Sequence, residues 1–104
     1  MVDSLKLIAI TPELTAPAER DIICHILDNG FDFVHIRKPK MTVAEMEEYL
    51  LSIPPRYRSR LTLHDCHAVA LLTGVGGLHL NGRNPKPIKG FSGRSEEHTS
   101  ELQS

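Results

Sequence analysis

Tryptophan is absent from this 104-residue chain, and three Phe and two Tyr are its whole aromatic complement, so any core must be aliphatic. Cysteine is scarce. Cys24 and Cys66 are the two present, far apart and without metal-type spacing, which excludes a disulfide scaffold and a zinc ribbon and leaves two free thiols as the expectation. No apolar run approaches the ~18 residues of a membrane-spanning helix. The N-terminus has no basic region followed by a long apolar stretch, so no signal peptide is expected, and a reducing cytoplasm is the expected location. The formal net charge of −1 gives no basic field for nucleic acid. What remains is one soluble domain with 40% apolar residues, an ordinary content for a globular chain.

The chain is organised around Arg60–Pro85. Two short apolar runs, Leu61-Thr62-Leu63 and Gly77-Leu78-His79-Leu80, each end in polar groups: His64-Asp65 and Asn81-Gly82-Arg83-Asn84. Between them Ala68-Val69-Ala70-Leu71-Leu72 is too apolar for a linker and is closed by Gly74 and Gly76. Runs this short suit buried strands and the middle segment suits a helix, a β-α-β unit with parallel strands and a right-handed crossover. The same alternation recurs upstream. Leu5–Thr11 reads as a buried strand ended by Pro12, with a helix behind it capped by Thr15 and carrying Ile22, Ile23, Ile26 and Leu27 as one stripe to a stop at Asn29-Gly30.

Phe31–Ile36 is the second strand. Thr42 and Glu45 then form a capping box for a helix with Val43, Met46 and Leu50 facing inward. Pro54-Pro55 stops it, and Arg56, Arg58 and Arg60 read as a solvated basic connection. Gly90–Gly93 is the candidate start of a fifth strand. The fold class is therefore α/β, about four parallel strands with three helices. A closed (β/α)8 barrel takes about 200 residues or more, so this chain has about half the length of one.

Polar residues at the C-terminal ends of parallel strands are where such folds place their chemistry. After the second strand Arg37, Lys38 and Lys40 form a compact cationic cluster suited to phosphate oxygens. The alternative is a solvated loop. Asp65 offers a hard carboxylate oxygen, or a cap for the helix that begins at Cys66. His79 lies mid-strand, where a satisfied core histidine is the plainer reading, and His64 with His67 makes no convincing zinc site.

These strand ends resemble the thiamine phosphate synthase/TenI family, from Leu5 to about Gly93. In that family the third strand ends in Asn-Asp and the fourth reads Gly-Val-His-Leu-Gly-Gln-x-Asp. Here the text is Leu63-His64-Asp65 and Gly77-Leu78-His79-Leu80-Asn81-Gly82-Arg83-Asn84. The resemblance implies the N-terminal half of a (β/α)8 TIM barrel. It also implies a condensation of hydroxymethylpyrimidine diphosphate with a thiazole phosphate that releases pyrophosphate. Phosphorylated pyrimidine and thiazole small molecules would be its partners, with neither nucleic acid nor membrane.

The family's Gln-x-Arg-x-Lys motif contacts pyrophosphate. His35 stands for the Gln, Arg37 matches and Pro39 stands for the Lys, with Lys38 or Lys40 as substitutes. The implied substrate-binding set is thus His35, Arg37, Lys38, Lys40 and His64. The implied Mg2+ ligands are Asp65 and, at the second Asp position, Asn84, which offers a carbonyl oxygen without charge. No residue is assigned a catalytic role. The alternative within the family is the TenI-type thiazole tautomerase, a metal-independent proton transfer that uses a His after the fourth strand.

Arg94–Ser104, RSEEHTSELQS, reads codon for codon as the translation of a widely used sequencing adapter. The expected organisation is therefore residues 1–93 as a truncated barrel half and 94–104 as a non-native, disordered tail. His98 in that tail mimics the tautomerase segment without belonging to it. A chain so built is expected to have no activity of its own, because two sheet edges stay open.

Overall fold

The structure is a computed structural model that describes residues 7–80 and 86–97. Its centre is a five-stranded sheet: β1 (Ile8–Ile10), β2 (Phe33–Ile36), β3 (Leu61–Leu63), β4 (Gly77–Leu80) and β5 (Arg94–Glu97). All four pairings are parallel, and the order is β1-β2-β3-β4-β5. The connections carry α1 (Glu19–Asp28), α2 (Val43–Leu51), α3 (Pro55–Arg58), a 3-10 turn (His67–Val69) and α4 (Ala70–Thr73). Each crossover joins neighbours in one direction, and right-handed crossovers of that kind put every helix on the same face of the sheet. The order never reverses, so this is the singly wound sheet of a barrel and not the doubly wound kind.

Side chains alternate across a strand, so register assigns the two faces. Val34, Ile36, Leu61, Leu63, Leu78 and Leu80 point to the helices. There they join Ile23 and Leu27 of α1, Met46 and Leu50 of α2, and Ile53, Tyr57, Val69 and Ala70 in one buried cluster. The other face carries Ile8 and Ile10 beside Phe33 and His35, then Thr62, Gly77 and His79, with Arg94 on β5. No described helix covers it.

Helix ends are closed largely as the sequence expects. Thr42 Oγ1 accepts from the Glu45 amide at 3.1 Å and Glu45 Oε1 accepts from the Thr42 amide at 2.9 Å, the capping box of α2. Asn29 ends α1, and Gly30 turns the chain at φ 106°. The basic connection differs from expectation. Arg58 donates to the carbonyls of Leu50, Leu51, Ile53 and Thr73, and Arg60 to those of Leu27, Phe31 and Asp32. Both guanidinium groups satisfy carbonyls at the C-terminal ends of α1 and α2, which hydrogen bonding and the helix dipole favour.

Four further expectations are corrected. The first strand is exposed at Ile8 and Ile10, because it is an edge strand whose open face is covered by no described helix. Thr15 caps nothing. The helix begins at Glu19 behind Ala18, whose methyl side chain offers no acceptor for the first helical amides. Ile22 and Val43 lie exposed, at the margins of their helical stripes. Finally, Arg94–Glu97 forms strand β5 and is not a disordered tail, while Gly90–Gly93 only leads into it. The free edge of β4 presents unpaired N–H and C=O groups that any extended segment in reach can satisfy. Residues 98–104 lie outside the described residues.

Candidate functional site

Three adjacent strands bring three histidines together on the helix-free face. His35 lies in β2, His64 directly follows β3, and His79 lies in β4. The pairings His35↔Thr62 and Thr62↔Gly77 put all three at positions of the same parity. His35 Nδ1 lies 2.8 Å from His64 Nε2, and the His64 and His79 rings stack at 4.0 Å with 5° between their planes. One ring nitrogen from each histidine falls within a span of 4.8 Å. His35 is buried, and the other two are half-buried.

Burial pushes the His64 imidazole down to about 3, helped by His79, His35, Arg37 and His67. It is neutral at physiological pH. His67, buried on the 3-10 turn, is shifted downward as well, chiefly by desolvation.

The cationic cluster splits between two environments. Arg37 follows β2 with its guanidinium half-exposed, 3.2 Å from Glu13, and its amide donates to Thr11 Oγ1. Lys40 is exposed. Lys38 is the correction. By parity it turns to the helical side, where it is 1% exposed. Its ammonium donates to the carbonyls of Pro12 and Leu14 and sits 2.9 Å from Glu19 Oε1, while the Tyr49 hydroxyl donates to the same carboxylate at 2.7 Å. All three ammonium protons have acceptors inside the fold, so Lys38 offers nothing to a substrate.

Asp65 is buried at the C-terminal end of β3, one residue beyond His64. It does not start a helix. Cys66 follows in the left-handed region at φ 56° and ψ 44°, a conformation rare outside glycine, and the 3-10 turn begins after it. Burial and Asp65 push the Cys66 thiol up, so it is no ready thiolate ligand. Asn84, the other candidate metal ligand, lies outside the described residues.

Sequence reasoning singled out His35 and His64 but read His79 as a core histidine. Strand parity was the available signal, since His79 shares its face with His35 and His64. Arg94 was set aside with the tail. Its guanidinium crosses the open face below the histidines, donating to Ser59 O at 2.7 Å and Thr62 Oγ1 at 2.9 Å, and lies 4.2 Å from the Phe33 ring centre. Gly77 makes the room: a Cβ there would meet the guanidinium at 2.7 Å.

Comparison with family models gave no match, and comparison with curated proteins gave none. Among solved structures the chain is similar to a thiamine phosphate pyrophosphorylase from Bacteroides thetaiotaomicron, with 30% sequence identity and a TM-score of 0.80. The match covers 89% of this chain and 47% of that one, so the chain spans about half the length of the protein it resembles. Its sheet and helices correspond to half of that enzyme's barrel, consistent with the N-terminal half.

Proposed function

We propose that this chain, built like half of a thiamine phosphate synthase barrel, supplies the anion-handling strand ends of a thiamine phosphate synthase-type reaction. In that reaction hydroxymethylpyrimidine diphosphate condenses with a thiazole phosphate and pyrophosphate leaves. The observation that carries the reading is the adjacency of Arg37 after β2 with His64 and Asp65 after β3, at the same end of neighbouring strands. Departure of pyrophosphate builds negative charge. Arg37 would meet it with a forked, permanently charged donor, and exposed Lys40 would add a second positive charge. Exchanging Glu13 for a phosphate ligand releases Arg37 for that work at little cost, because the exposed ion pair is weak.

Mg2+, which the resemblance implies, fits this donor set poorly. Asp65 offers a carboxylate, but it has the parity of Leu61 and Leu63, whereas the triad of His35, His64 and His79 on the open face offers only imidazole nitrogens, and Mg2+ prefers carboxylate, phosphate and water oxygens. The second reading, a thiazole tautomerase, is favoured by that same observation: a nitrogen-rich site suits a metal-independent proton transfer better than it suits a two-carboxylate metal. A further reading is that the 104-residue chain alone turns over neither substrate, since among the described residues β1 and β5 leave both sheet edges without a neighbour.

Both reactions should be assayed with the 104-residue chain and with a chimera in which it replaces the matched half of the Bacteroides barrel. Thiamine phosphate formation by the chimera, reduced about 10²-fold or more by Arg37→Ala, is the expected result. Thiazole isomerisation without thiamine phosphate formation would move the assignment to the tautomerase. A chimera indifferent to Arg37→Ala would remove the basis of the proposal.

A further inference from the structure

The open face carries a nitrogen-only triad, of which the proposed reaction draws on His64 alone. We infer that His35, His64 and His79 form a binding site for a zinc-class divalent transition metal, held by three neutral imidazoles. Three parallel strands in fixed register project the rings from one face, and one ligand nitrogen of each lies within 4.8 Å of the others. In a tetrahedral zinc site, Zn–N bonds of about 2.0–2.1 Å separate ligand nitrogens by about 3.3 Å. The His35–His64 contact of 2.8 Å is slightly closer than that, so this pair needs only a small separation.

A metal would take the place of the proton these two nitrogens share. One of the two rings then changes tautomer so that both present lone pairs. The stacked His64 and His79 rings must also tilt from their 5° parallel arrangement for their nitrogens to converge. His79 is half-buried, so its ring is not fully enclosed.

The ligand type selects the ion. Imidazole suits Zn2+, Cu2+ and Ni2+, whereas Mg2+ and Ca2+ require oxygen. Neither thiol competes. Cys24 lies on α1, whose buried residues belong to the helical side, and the Cys66 sulfur is 3.5 Å from the Met41 carbonyl that it donates to. Three protein ligands leave a fourth position of a tetrahedral ion for water or a phosphate oxygen, and the face they occupy has no described helix over it.

The test is a titration of the full 104-residue chain, stripped with chelator, with ZnCl2 and separately with CoCl2. One ion per chain is expected, with the visible absorption of tetrahedral Co2+, a raised unfolding midpoint in Zn2+ and no displacement by a large excess of Mg2+. X-ray absorption of the zinc-loaded chain should count three imidazoles and no sulfur. His79→Ala and His35→Ala should each weaken binding by at least about tenfold, while His25→Ala on the exposed side of α1 should not change it. No saturable binding by the wild-type chain would overturn the inference. So would a sulfur ligand, or affinity that survives in a folded His79→Ala.

Discussion

The two faces of this sheet are made by the same strands and yet follow different rules. On the helical side the inward positions of β2, β3 and β4 are all aliphatic: Val34, Ile36, Leu61, Leu63, Leu78 and Leu80. On the other side the register aligns Ile10, His35, Thr62, Gly77 and Arg94, with Ile8 and Phe33 before them and His64 and His79 after them. The helical side holds the fold by removing apolar area from water, which is non-directional and tolerant of exchange among aliphatic residues. The open side holds charged and heterocyclic groups by hydrogen bonds and stacking, which are directional. Stability and chemistry are thereby divided between two faces only one strand thick. The exception is the Lys38–Glu19–Tyr49 network, a polar group of contacts enclosed on the helical side.

That exception gives the largest expected effect. Glu19→Ala leaves the Lys38 ammonium buried without its carboxylate and should cost about 3–5 kcal/mol in urea denaturation. The double variant Lys38→Met/Glu19→Leu should recover most of that loss. If it is no more stable than Glu19→Ala, the network does more than neutralise itself. Next is Leu63→Ala, in the centre of the helical side at 0% exposure, with an expected loss of about 2–5 kcal/mol.

Arg94→Ala should cost about 1–3 kcal/mol through its hydrogen bonds to Ser59, Leu61 and Thr62. Hydrogen exchange should then rise in β5 before it rises in β2. A midpoint unchanged by Arg94→Ala would mean that β5 adds nothing to the sheet.

The histidine layer should make the open face the acid-sensitive one. His64 has an ordinary value of 6.5, lowered to about 3 in the fold, chiefly by burial. Between those values the unfolded chain binds a proton that the folded chain refuses. Stability is therefore full above about pH 6.5 and falls as the pH drops toward 3. The downward shift of His67 acts in the same direction. Measured with chelator present, His64→Asn should flatten the dependence of the denaturation midpoint on pH between about 7 and about 5. An unaltered slope would show that His64 already titrates near its ordinary value in the fold.

The smallest effect belongs to the edge. Ile10→Ser, at 60% exposure on the open face, should change stability by no more than about 0.5 kcal/mol. A loss as large as that of Leu63→Ala would mean that this face is covered in solution.

Much of this was legible from residue order alone. Alternating apolar runs and capped helices fix parallel α/β architecture because each period has one physical solution. Thr42 with Glu45, and Asn29 with Gly30, act within a few residues of themselves, so their helix ends could be read directly. The resemblance of the strand-end motifs to the thiamine phosphate synthase/TenI family also implied half of a (β/α)8 barrel, which the fold comparison bears out.

Tertiary structure decided the rest, and each case turns on contacts between distant residues. Lys38 and Arg37 are neighbours in sequence, but strand parity sends one to a buried carboxylate and the other toward solvent. Arg58 and Arg60 look like a solvated run until the ends of α1 and α2 arrive beside them with unpaired carbonyls. Arg94–Glu97 has the composition of a loose tail and becomes a strand because β4 offers it a free edge. His35, His64 and His79 lie far apart along the chain. Only the register of three strands puts their ring nitrogens within reach of one ion, because register is set by pairing between segments and not by either segment alone.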